Sequence, residues 1–200
     1  MMKRTGKTIL LLLLALGLQA AAQEEVVTYL NASEPVISDM QSNIRGFLNE
    51  VQPLRQKKDI AGVKKVADKY ILVWDEQLDR MAQIVPPPQA QTHYNALKRL
   101  LELQRESNQI MSETLAQRLA LLMEIQKMKD NGAPEDEIQE FLATNSPDKQ
   151  SLLERATAVS SETKMADQTL KAEHKKLRAM VSEEPETTPD ESGGETKEER

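Results

Sequence analysis

The sequence predicts an all-α protein, an up-down-up-down four-helix bundle, on three observations. Apolar residues recur at steps of three and four along four separate stretches, and capping residues, proline or glycine bound each stretch. Of the 200 residues, 29% are charged and only 3% aromatic, the composition of a strongly helical chain.

The chain opens with Lys3, Arg4 and Lys7, an apolar run from Ile9 to Leu18, and the small residues Ala20 and Ala22. That order is the pattern of a secretory signal peptide, with cleavage expected after Ala22. Roughly ten apolar residues are too few to cross ~30 Å of hydrocarbon, so no stable membrane anchor is expected after cleavage. Thr5-Gly6-Lys7-Thr8 imitates the end of a phosphate-binding loop, but the upstream glycine and strand are missing.

Ser33, Glu34 and Pro35 read as a helix opening: a hydroxyl for the free amides, an anion at the positive end, and a proline where no donor is needed. Whether residues 24–30 add a turn before a kink at Pro35 stays open on the sequence. From there Ile37, Met40, Ile44, Phe47, Val51 and Leu54 form one apolar seam, which Pro53 ends or bends. Asp59 can cap the second helix, with a seam from Ile60 through Val63, Ala67, Ile71, Trp74, Leu78 and Met81 to Val85. Pro86-Pro87-Pro88 forbids its continuation and can start the next element.

The third seam is the longest, running from Ala90 through Tyr94, Leu97, Leu101, Gln104, Asn108, Met111, Leu115, Arg118 and Leu122 to Ile125. Leu100, Ile110, Leu119 and Leu121 offer a neighbouring row that a 3.6-residue period would use instead, and Asn131-Gly132 closes the helix. A short amphipathic piece, 134–142, follows. Ser146-Pro147-Asp148 then opens a fourth long helix, with a seam through Leu152, Val159, Leu170, His174 and Leu177 to Val181. Residues 183–200 hold eight acidic and two basic side chains and almost nothing apolar, which predicts a disordered acidic tail. The domain reading is therefore 1–22 signal peptide, 23–182 helical bundle, 183–200 tail. Because the third and fourth long helices outlast the first two, their hairpin is expected to overhang, covered by the short piece or by a second protein chain.

Function classes narrow by elimination. The chain lacks cysteine, which removes disulfides, thiolate zinc sites and thiol nucleophiles. A net charge of −6 argues against nucleic acid. The histidines, His93 and His174, are both without a Glu three residues earlier, so a carboxylate-bridged di-iron site is not expected. Ser161-Glu162-Thr163-Lys164 matches S-x-x-K without its companion motifs, and Asp130, Asn131, Glu135, Asp136 and Glu137 lack EF-hand spacing. No catalytic set, metal site or cofactor is expected.

The leading expectation is an exported, soluble, non-enzymatic helical-bundle protein of the periplasm or medium. It acts by binding an unidentified protein partner or a second copy of itself, as an adaptor, a chaperone-like protein or a structural component. Gln104, Asn108, Met111, Leu115, Arg118, Leu122 and Ile125 are the candidate contact residues, since buried polar groups in a long seam fix register and partner choice. The alternative is a small-ligand carrier such as a b-type haem bundle. Helix-rise arithmetic puts Met40 and His174 at about the same height, ~20 Å above the Pro86 end, as candidate axial ligands.

Overall fold

The computed structural model describes residues 5–145 and 149–182, with side chains for 20–145 and 150–182. Ser146-Pro147-Asp148 and the acidic segment 183–200 lie outside the described residues. What is described is all-helical: α1 (Thr5–Gln56), α2 (Ile60–Ala82), a 3-10 turn (Pro88–Ala90), α3 (Gln91–Asp130), α4 (Glu135–Asn145) and α5 (Lys149–Ser182). Among those residues no helix is long and apolar enough to cross a membrane.

The first helix departs from the sequence expectation. Ser33 does not open it but lies buried inside it, donating its hydroxyl to the Leu30 carbonyl at 3.3 Å, and α1 runs unbroken through Pro35. A proline inside a helix costs about 3 kcal/mol. Against that, Val26, Tyr29 and Leu30 are buried with Ala90 and Leu177, and each large apolar side chain so buried is worth about 1.5–3 kcal/mol. Packing of the preceding turn wins, and the helix continues.

Local signals elsewhere hold. α1 ends in a Schellman turn, with Asp59 N–H donating to the Leu54 carbonyl at 2.9 Å, Lys58 N–H donating to that of Arg55 at 3.0 Å, and Lys58 at φ 56. Asp59 caps α2 by accepting from the Gly62 amide at 2.8 Å. Pro88 opens the 3-10 turn that leads into α3, and Gly132, at φ 75, follows its end. Val85 is 87% exposed rather than part of the second seam, because α2 stops at Ala82 before reaching it.

Antiparallel pairs set the register of neighbouring helices. Asp39–Arg80 (2.6 Å) and Glu50–Lys69 (2.7 Å) join α1 to α2, and Asp75–Arg105 (2.5 Å) joins α2 to α3. Arg99–Glu162 joins α3 to α5, and Glu34–Arg178 joins α1 to α5. Inside, Trp74, Met81, Leu97, Leu101 and Leu170 form the main core with Val36 and Met40. On α3 both rows are buried as far as Ile110, Leu97, Leu101 and Asn108 of the seam together with Leu100, Leu103 and Ile110 beside it, while further along Arg118 and Leu122 face out.

The overhang also differs from expectation. Counting from the Glu113–Arg155 pair, α5 begins opposite α3 residues near 119, so it does not accompany the end of α3. The last turns of α3 instead meet α4, whose Ile138 is buried. The short amphipathic helix, not the fourth long one, therefore follows the end of α3.

Candidate functional site

Three helices bring a chain of polar rings together near the Pro86–Pro88 end. Pro88 starts the turn that delivers His93 into the first turn of α3, where its ring is fully buried. There the Tyr29 hydroxyl of α1 lies 2.7 Å from His93 Nδ1, and His93 Nε2 lies 3.2 Å from Nδ1 of His174 on α5. The Tyr29 and His93 rings meet edge-on, with centroids 5.5 Å apart.

Burial dominates the electrostatics. It drives His93 down to about 4, an effect that His174 reinforces and the Glu173 carboxylate opposes. Burial likewise pushes the Tyr29 phenol well above its ordinary value, against the lowering effect of the Ser33 hydroxyl. Both groups are therefore neutral at pH 7, and each contact carries one hydrogen. With the Tyr29 hydroxyl donating, His93 Nε2–H donates to His174. In the reverse tautomer His174 Nδ1–H donates to His93, and His93 Nδ1–H donates to the tyrosine oxygen. A hydrogen-bond reversal can thus pass from α5 to α1 with no change in buried charge.

A groove of about 620 Å³ lies beside this chain, between α1, α3 and α5, and both Met40 and His174 line it. Leu100 and Leu170 supply apolar wall, and Lys164 and Lys171 contribute ammonium groups. With Nδ1 of His174 engaged by His93, Nε2 is the nitrogen left for a ligand. Met40 and His174, the axial pair expected from the sequence, thus line one groove. Among the described residues no group of three or more His, Asp or Glu is placed to hold a metal ion by itself.

The candidate contact residues on α3 divide. Gln104, half-buried, lines the Met40–His174 groove and also a second groove of about 580 Å³ between α3 and α5. Met111 and Leu115 line that second groove and a third, of about 420 Å³, where Arg118 stands at the edge. Asn108 is buried, Leu122 is exposed, and Ile125 is half-buried; none of the three lines these grooves. The sequence reading overlooked Tyr29, placed Ser33 at a helix opening, and weighed His93 only as a metal ligand. One signal was available: His93 precedes Leu97 by four residues, which puts it on the seam.

No family model matches the chain, and neither the curated proteins nor the solved structures include a match to it.

Proposed function

We propose that the chain is an exported, non-enzymatic helical-bundle protein that works by binding another protein chain along α3. The observation that carries this reading is the continuation of α3 beyond the α1–α2 turn. On that stretch Leu122 and Met123 are 46% and 64% exposed. The succession of antiparallel neighbours α1, α2, α3 and α5 supports the up-down-up-down bundle reading. Lys3, Arg4, the apolar run and the Ala20–Ala22 site support export, and the acidic segment 183–200 supports a solubilising, disordered tail.

The test is photo-crosslinking in the exported fraction, with the reactive residue placed at Leu122 or Met123, and at Leu48 on α1 as a control. The reading expects one discrete adduct from the α3 positions and none from Leu48, its mass measured by native mass spectrometry. Equal adducts from all three positions, or an uncrosslinked monomer throughout, would overturn it. A second reading, a small-ligand carrier, is favoured by the shared groove of Met40 and His174. A Soret band in the isolated protein, lost in M40A and H174A, would establish it; a featureless visible spectrum after incubation with haem would end it.

A further inference from the structure

The groove of about 420 Å³ at the α1–α2 turn has an unusual composition. Its floor is Ile60, Val63, Met111 and Leu115, and the polar groups along it come from Arg55, Lys58, Arg118 and Asp59. The Asp59 carboxylate is occupied in capping α2 through the Gly62 amide. The three cations have no ion-pair or hydrogen-bond partner for their side chains among the described residues, although most other Lys and Arg facing a neighbouring helix are paired. Arg55 lies at the end of α1, Lys58 in the turn after it and Arg118 on α3, so separate parts of the chain converge on one mouth. α2 begins in the same wall, and its N-terminal dipole adds field of the same sign.

A cationic mouth over an apolar floor asks for a ligand with one anionic end and a hydrocarbon body. The floor also continues. Met111 and Leu115 are shared with the groove of about 580 Å³ between α3 and α5, where Ile110, Ala156 and Val159 extend the apolar wall. Both shared side chains are half-buried, and methionine adapts its shape readily.

We propose that this pair of grooves binds a single-chain carboxylate amphiphile, a fatty acid. Its carboxylate sits among Arg55, Lys58 and Arg118, and its alkyl chain passes Met111 and Leu115 toward Val159. Arginine forks pair with a carboxylate in bidentate fashion, and removal of the methylene chain from water supplies the remaining affinity. The inference stands apart from the partner-binding reading, because it needs only the isolated chain.

Isothermal titration of the full chain, delipidated, with laurate, 1-dodecanol and acetate tests it. Laurate is expected to bind one to one, dodecanol at least tenfold more weakly, and acetate not measurably. The variant R55Q/K58Q/R118Q changes three exposed side chains. It is expected to weaken laurate at least tenfold and leave dodecanol unchanged, and R118Q alone serves if the triple variant loses helical circular dichroism. Equal binding of laurate and dodecanol, absence of laurate binding, or unaltered laurate binding in a folded charge variant each overturns the proposal.

Discussion

Tyr29 and His93, 64 residues apart in sequence, meet through a 2.7 Å contact between the phenol oxygen and Nδ1 in a site closed to solvent. The neutral ring is the form that the fold accepts. His93 falls to about 4 in the fold, from an ordinary value of 6.5, so between those pH values the unfolded chain binds the extra proton. Stability associated with His93 is therefore complete above about pH 6.5 and is lost as pH falls toward 4, to a limit of about 3 kcal/mol. Urea unfolding at pH 7.5 and pH 5.0 should show about 2 kcal/mol of loss in the wild type that is missing in H93Q. An identical pH slope in both proteins would remove the assignment.

Tyr29→Phe takes away the hydroxyl and leaves His93 Nδ1 buried without it. A cost of about 1–3 kcal/mol is expected from the unpaired ring nitrogen. The signature in NMR is a shift of the His93 ring resonances, and of those of His174 one contact further along. Shifts confined to His93 would show that the three rings do not act as one chain.

Pro35→Ala separates two views of α1. If Ser33 opened the helix, alanine at position 35 would be neutral or mildly unfavourable. Inside a continuous helix it restores an amide donor and removes a ring clash, so the variant should be more stable by about 1–3 kcal/mol. A denaturation midpoint unchanged or lowered would contradict the continuous helix.

Trp74, the single tryptophan, is buried, and its Nε1 has no hydrogen-bond partner among the described residues. W74F removes that unsatisfied donor along with one ring, and its cost should stay below about 1.5 kcal/mol, whereas W74A should cost about 3–5 kcal/mol. Similar losses in both variants would mean that the indole N–H does find a partner in solution.

What the sequence disclosed follows the range of the forces involved. Asp59, Pro86 to Pro88 and Asn131-Gly132 act on their own backbone, so their effects are readable within a few residues. Ser33 next to Glu34 and Pro35 looks the same whether it opens a helix or lies inside one. Burial of Val26 and Leu30 against Leu177, far along the chain, decides between them. Helix-rise arithmetic was enough to bring Met40 and His174 to one groove, because the height of a residue depends only on counting. It could not show that His174 already holds His93, or that Tyr29 stands behind both. The overhang was misjudged for a related reason. Helix lengths were readable, but the register that starts α5 opposite α3 residues near 119 is set by side-chain pairs between helices.

The contact at the far end of α5 bears on the proposed export. The Gln23 side-chain amide donates to the carbonyl of Met180 at 3.0 Å and to that of Val181 at 3.3 Å, and the last turn of α5 contains no basic residue. Cleavage after Ala22 would make Gln23 the new amino terminus and place a positive ammonium group next to the electronegative end of α5. Removing the leader would thus also supply a missing counter-charge, so that the processed chain is more firmly closed at that end than its precursor.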